Sequence, residues 1–249
     1  MLRLPEPLCL ANLEENMIHI PGGTFMMGGE SYWSDAKPEH LVSLDDFNLC
    51  RYPVSQKLWE EVMGEKPSRF QNPNWPVEEI SWYLITNKFL PALRKKNGIG
   101  DYCLPTEAQW EYAARGGEKG VLINRGSLTF SGSEDLNEVG WHSDNSFNET
   151  QNTGLKRPNV WGLYGMSGNA GEWCQDWYSR YYYQTLKDQY GEKPVWNPEG
   201  ENKRSFKVVR GGAWIYKGPA NYGVSSRNFL PPYAEFNSFG FRLARYSRA

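Results

Sequence analysis

From Gly117 to the C-terminus, more than half of the chain, no helical period is sustained. Apolar residues come in short pieces between Gly, Pro, Asn and Ser, too broken for long strands. Under that constraint the backbone alone cannot close an interior, so side chains must fill the space between loops. The 11 Trp and 15 Tyr supply the volume. An α+β domain with long, packed loops follows. No Gly/Ser or Pro-rich linker divides the 249 residues, and one domain is expected.

Ahead of Gly117 three helices are legible. In "VSQKLWEEVMG", Ser55 stands at the N-cap, Leu58, Trp59, Val62 and Met63 share a face, and Gly64 ends the run. A second run starts at Ser81 and stops at Gly98, with Ile85, Phe89 and Leu93 at helical spacing, and Pro91 should kink it. The third, "LPTEAQWEYAARGG", opens on a capping box of Thr106 and Gln109 and closes at Gly116-Gly117. Its Trp110, Ala113 and Ala114 face the core.

With 27 basic and 29 acidic residues the formal charge is -2, which gives no long-range pull toward phosphate backbones or anionic lipid. Nucleic acid is therefore not expected as a partner. No run of 18 apolar residues spans a membrane, and Pro5, Glu6 and Pro7 interrupt the start where a signal peptide needs its apolar core, so a soluble chain is expected. Cys9, Cys50, Cys103 and Cys174 lie far apart without CxxC pairs. Buried free thiols are expected, with one or two disulfides as the alternative. His19, His40 and His142 lack the spacing of a metal triad and are expected at the surface or hydrogen-bonded in the core. The glycine-rich "GGTFMMGG" and "GMSGNAGEW" lack phosphate-loop spacing and are read as turns.

Six segments occur together: "IPGGTFMMG" at 20–28, "PVEEISW" at 76–82, "LPTEAQWEYAARGG" at 104–117, "PNVWGLYGMSGNAGEW" at 158–173, "VVRGGAW" at 208–214 and "GFRLAR" at 240–245. In type and order they resemble the formylglycine-generating enzyme (sulfatase-modifying factor) family. The resemblance implies a C-type-lectin-like fold rich in irregular structure, with 1–17 as an N-terminal extension and 18–249 as the domain. Cys103 stands where the family usually has Arg, which implies a lost ion pair. Enzymes of this family bind copper with two cysteines, five residues apart, just after the "RGGS" strand, because soft Cu(I) needs thiolates. Here those positions hold Tyr216 and Asn221, Ala213 replaces the hydroxyl residue, and no cysteine follows Cys174. The iron-dependent sulfoxide synthases that this fold also resembles need a histidine cluster, which the three scattered histidines do not provide.

A third branch of the resemblance is the variable proteins of diversity-generating retroelements, whose C-terminal segment is diversified by adenine mutagenesis up to a "GFR" motif. Mutated AAC codons cannot give Lys, Glu, Gln, Trp or Met. Between Ile215 and Phe239 only Lys217 and Glu235 belong to that excluded set. The segment is also rich in Tyr, Phe, Ser, Asn and Gly, the composition of antibody-like paratopes. The expectation is a non-enzymatic ligand-binding protein, monomeric and needing no cofactor, that grips a protein partner through the surface 215–239. The resemblance places it at the cell surface or outside the cell. Contact residues are expected at Trp214, which floors the site, and at Ile215, Tyr216, Asn221, Tyr222, Ser226, Asn228, Phe229, Leu230, Tyr233, Phe236 and Asn237. Nine of these, Tyr216, Asn221, Tyr222, Asn228, Phe229, Leu230, Tyr233, Phe236 and Asn237, should be substantially exposed. Against this stands a purely structural reading, in which the aromatics fill the core, and an alternative function, an altered or inactive formylglycine-generating-type oxidoreductase. The family also implies a structural calcium site at Gly165, Gly168, Ala170 and Glu172. Hard cations take such oxygen ligands, while a buried salt bridge of Glu172 is the competing reading.

Overall fold

Ser55 and Thr106 cap helices as their spacing predicts. The Ser55 side chain accepts from the Leu58 amide, Thr106 and Gln109 complete a reciprocal capping box, and Gly64 and Gly116 end the two helices in the left-handed conformation. The computed structural model describes residues 6–29, 34–124, 128–202 and 204–246. Along the chain run β1 (Met17–Ile20), β2 (Gly23–Met27), β3 (His40–Leu44), β4 (Phe47–Cys50), β5 (Gly171–Trp177), β6 (Val195–Trp196), β7 (Lys207–Arg210), β8 (Arg227–Leu230), β9 (Phe239–Gly240) and β10 (Ala244–Tyr246). The helices are α1 (Gln56–Met63), α2 (Trp82–Leu84), α3 (Leu90–Asn97), α4 (Glu107–Arg115), α5 (Gly117–Asn124), α6 (Leu136–Val139) and α7 (Tyr182–Tyr190).

The strands form three small sheets, ordered β1-β4-β10, β2-β3-β6 and β8-β7-β5-β9. Two large apolar clusters sit between them and the helices, with a small third of Phe130, Leu136, Val139 and Tyr222. One gathers around Trp110 and Tyr112 of α4, the other around Trp59, Phe89, Trp173 and Phe241, where Trp59 stacks on Phe89 with centroids 4.9 Å apart. Aromatic side chains thus bridge elements that share no backbone pairing.

Three expectations change. The helical period does not vanish at Gly117, because α5 follows α4 directly and α7 buries Tyr182, Tyr183 and Leu186. Pro91 announces itself one turn early: Ile85–Phe89, between α2 and α3, is π-helical, and the wider turn carries the backbone past a ring that has no amide to donate. The described part of the expected extension, residues 6–17, is packed against the domain, since Leu8 and Leu13 lie in the second cluster and the Ser55 hydroxyl donates to the Leu8 carbonyl, while residues 1–5 lie outside the described residues. All four cysteines are unpaired. Cys50 and Cys174 are buried, whereas Cys9 and Cys103 are only half-buried.

Charge is buried together with the aromatics. Glu107 and Glu111, one turn apart on α4, are both inside. Arg210 of β7 donates to Glu111 at 2.6 Å and Glu107 at 3.2 Å, and Arg227 of β8 makes a fork to Glu107 at 2.7 and 2.9 Å. Arg115 holds the other oxygen of Glu111. The two arginines lower the Glu107 pKa against the desolvation that opposes ionisation. A second pair stands apart: Arg242, from the "GFR" segment, grips both oxygens of Glu172 at 2.7 Å and donates to the carbonyls of Cys50 and Tyr164.

Removing one member of such a pair leaves its partner's charge buried without compensation. Arg242→Met should cost about 3–5 kcal/mol in urea denaturation, while Lys57→Met, which breaks only the exposed Lys57–Glu61 pair, should stay within about 0.5 kcal/mol.

Candidate ligand-binding face

The segment 215–239 is less irregular than its sequence suggests. It contains β8, which pairs antiparallel with β7 in the register Lys207 to Leu230, Val208 to Phe229, Val209 to Asn228 and Arg210 to Arg227. The segment ends in β9, on the far side of the same sheet. Both ends and the middle of the loop are therefore fixed to one framework, and Arg227 nails the middle to α4.

Side chains of the segment divide into a floor and a rim. Tyr222 is fully buried, contrary to expectation, and its hydroxyl lies 2.9 Å from the Ala213 carbonyl and 2.7 Å from that of Tyr216. Gly212 makes room for it, since with φ at +73 a Cβ there would stand 2.6 Å from the Tyr222 ring. Trp214 is buried edge-on to Phe70 and donates its indole N–H to the Asn237 carbonyl at 3.1 Å, which fits its expected place as a floor. Ser226 is buried and donates to the Ala220 carbonyl. Tyr216 is not substantially exposed either: its hydroxyl accepts from Asn228 at 2.6 Å, and burial raises its pKa. Asn221, Asn228, Leu230 and Asn237 are half-buried.

The rim is Ile215 at 50% exposed, Phe229 at 41%, Tyr233 at 73% and Phe236 at 50%. Framework aromatics extend it. Phe229 stacks on Tyr178 of the β5 exit with centroids 4.2 Å apart and meets the edge of Phe206 at 5.2 Å. Beside them Lys207 is held between Trp82 and Trp177, its ammonium 3.9 and 3.8 Å from the two rings. Burial lowers the Lys207 pKa to about 8, against the pull of Asp176, and desolvation raises the buried Asp176 to about 8. Tyr178, Phe206, Trp82 and Trp177 escaped the sequence reading because an aromatic residue type gives no sign by itself of whether it faces solvent.

Tyr216 and Asn221 both line one small cavity with Gly212, Ser226 and Asn228, of about 20 Å³, room for roughly one water. The expected calcium set does not fit its carboxylate. Both oxygens of Glu172 are taken, by Arg242 and by the Trp110 indole N–H at 2.7 Å, so a cation there would face a guanidinium. Glu172 is a salt-bridge partner instead. Among the described residues no group of three or more His, Cys, Asp or Glu side chains is placed to hold a metal, and no helix is long and apolar enough to cross a membrane. His19 is exposed beside Asp46, His40 is buried against the Pro38 carbonyl, and His142 is buried with Asn137. A separate apolar cleft of about 490 Å³ opens between β2, α4 and α5, lined by Phe25, Met26, Tyr112 and Leu122, away from every expected site residue.

Residues 4–247 match the sulfatase-modifying factor enzyme 1-like domain. The chain belongs to this family. Formylglycine-generating enzyme of Streptomyces coelicolor is 33% identical to it, over 96% of this chain and 92% of the enzyme. The chaperone protein LppX of Paenibacillus barcinonensis is 28% identical, over 82% and 80% of the two chains. The chain also matches the serine/threonine-protein kinase Pkn1 of Chlamydia trachomatis at 29% identity, spanning 39% of that protein's length. Among solved structures, Treponema denticola variable protein 1 superposes with a TM-score of 0.79 at 27% identity, covering 93% of this chain and 95% of that one. The fold is accordingly the C-type-lectin-like fold of the formylglycine-generating type, mixed in helix and sheet and rich in irregular structure. Membership of the family fixes the scaffold, and function must be argued from the site.

Floor and rim have separable energetics. Tyr233→Ala and Phe236→Ala should change stability by no more than about 0.5 kcal/mol, whereas Tyr222→Ala and Trp214→Ala should each cost about 3–5 kcal/mol in denaturant melts. Equal losses at the four positions would show that the rim also holds the fold.

Stability should depend on pH through Asp176. Its folded pKa of about 8 lies above the ordinary value of 3.8, so the folded state keeps a proton that the unfolded chain releases. The contribution is whole below the unfolded value and lost as pH rises toward 8, at up to about 1.4 kcal/mol per pH unit for one proton. Lys207, lowered to about 8, gives the opposite slope above that pH. Asp176→Asn, which can still accept from the Glu107 amide, should flatten the decline between pH 5 and pH 8 in chemical denaturation.

Proposed function

We propose that this family member is a non-enzymatic binding protein that grips a protein partner with the rim of segment 215–239. The observation that carries the reading is the division of the segment. Its anchoring groups, Tyr222, Ser226 and Arg227, are locked into the framework beside Trp214, while Ile215, Phe229, Tyr233 and Phe236 are each exposed on it. Large aromatics with few rotors, displayed on a fixed backbone, lose little entropy when they bind, and monomers seldom expose such a patch without use. The likeness to a variable protein of Treponema denticola over nearly the whole chain supports the same reading, as does the near absence from 215–239 of residues that mutated AAC codons cannot encode. A diversified segment of this kind makes the protein a display module whose partner differs from one version to the next.

The second reading, an altered or inactive formylglycine-generating-type oxidoreductase, draws on the likeness to the Streptomyces coelicolor enzyme. Copper chemistry of that type needs two thiolates, and the aligned positions carry a phenol and an amide around a cavity the size of one water. The thiols that are present sit elsewhere, and burial pushes Cys50 up to about 11 and Cys103 up to about 12, far from thiolate at neutral pH.

Incubated with Cu(I), oxygen and a sulfatase-type cysteine peptide, the purified protein should yield no formylglycine by mass spectrometry. Conversion would overturn the binding reading. In the positive arm, a protein retained from extract by the wild-type chain should be lost with Tyr233→Ser and Phe236→Ser while the melting temperature stays unchanged.

A further inference from the structure

Phe147 is the oddest residue outside the segment 215–239. Its ring is 81% exposed, and its backbone is left-handed, with φ at +59, followed by Asn148 at +62. Asn accepts that conformation readily, because its short polar side chain bonds locally. A Phe does not, because its Cβ crowds the neighbouring carbonyl. Among the described residues with positive φ other than glycine, Glu79, Asp101, Phe147, Asn148, Asn169 and Asn197, Phe147 is the one apolar side chain. The position thus carries two penalties together, a strained backbone and a large apolar group in water, and no packing gain offsets either.

The surroundings hold the strain in place. The amides of Asn145 and Ser146 both donate to the His142 carbonyl, and the Gln151 side chain donates to the Ser146 carbonyl at 2.8 Å. Ser146 and Thr150, on either side of the tip, are fully buried. Phe147 is therefore projected from a braced turn. That turn abuts the floor of the candidate face: the Ser143 amide donates to the Tyr216 carbonyl, and the His142 ring lies 6.1 Å from the Tyr222 ring. On the other side of the segment Glu79, also left-handed, donates its amide to the Phe236 carbonyl. Left-handed backbone thus occurs near two of the contacts between framework and segment, and such strain gathers where geometry serves a ligand.

We propose that Phe147 is a fixed anchor of the binding face, a framework residue that inserts its ring into an apolar pocket of the protein partner while the segment 215–239 supplies the variable contacts. The proposal rests on the binding reading above. It makes recognition two-part, with one constant aromatic contact beside a changeable surface.

Phe147→Asn and Phe147→Gly test it, because both relieve the backbone and remove the ring. Each should raise the melting temperature, by about 2–4 °C for a chain of this size. The binding arm uses cyclic peptides selected from a random displayed library on the wild-type protein, each then titrated against wild type, Phe147→Asn and Tyr233→Ala. Peptides that lose at least tenfold in affinity with both variants are expected. If peptides depend on Tyr233 and none on Phe147, the anchor is wrong and the binding face stands. If none depends on either residue, both readings fall. A melting temperature that drops with Phe147→Gly would also overturn the proposal, since the ring would then serve the fold.

Discussion

Two carboxylates one turn apart on α4 determine most of what this chain can do. Glu107 and Glu111 are buried, and each needs cations that no neighbour on the helix except Arg115 can supply. Arg210 and Arg227 arrive from opposite strands of the β7–β8 hairpin, directly across from each other in register. The hairpin therefore cannot slide or rotate without stranding charge in the interior, a penalty of several kcal/mol for each ion. Arg210 also donates to the carbonyls of Val224 and Ser225, and Arg227 to that of Asp35, so the same guanidiniums that satisfy the helix fix the loop backbone before and after them. Such networks add little to stability compared with well-packed apolar groups. What they supply is a single geometry for the backbone that carries the segment 215–239.

How far this was legible follows from what each signal reports. Caps are local, so Ser55, Thr106, Gln109, Gly64 and Gly116 were readable from residue types and spacing alone. Helix α7 was not, because its N-cap is Tyr181 with no side-chain bond to the backbone, and its buried face of Tyr182, Tyr183 and Leu186 looks like one more aromatic patch in an aromatic-rich chain. Helix α5 begins on Gly117 and contains Gly120, residues that ordinarily end or weaken a helix. The strand β8 hides its alternation: inward Arg227 and outward Phe229 reverse the usual pattern, because here the buried partner is a carboxylate and the exposed ring serves a surface.

The segment 215–239 shows why composition could not settle its own question. Tyrosine suits a floor and a rim equally well, since its ring packs and its hydroxyl needs only one partner. Tyr222 finds carbonyls beneath it and Tyr233 finds water, and the distinction lies in Gly212, whose missing Cβ opens the space that the Tyr222 ring enters. The set is therefore divided, with some of its aromatics packed into the fold and others exposed. Glu172 is a similar case, a carboxylate whose sequence context suits a calcium ligand and whose structural partner, Arg242, lies 70 residues away.

The division into floor and rim also bears on how one scaffold can host both an oxidase and a binder. An oxidase site here needs two thiolates facing a cavity wide enough for metal and substrate. In this chain Tyr216 lines a cavity of only about 20 Å³, and its hydroxyl accepts from Asn228 of β8, tying the loop to the sheet. A large ring in that wall stiffens the loop and supports the surface above it. What 215–239 presents to solvent is the ring or aliphatic chain of Ile215, Phe229, Tyr233 and Phe236, side chains with large contact area and few rotors to freeze.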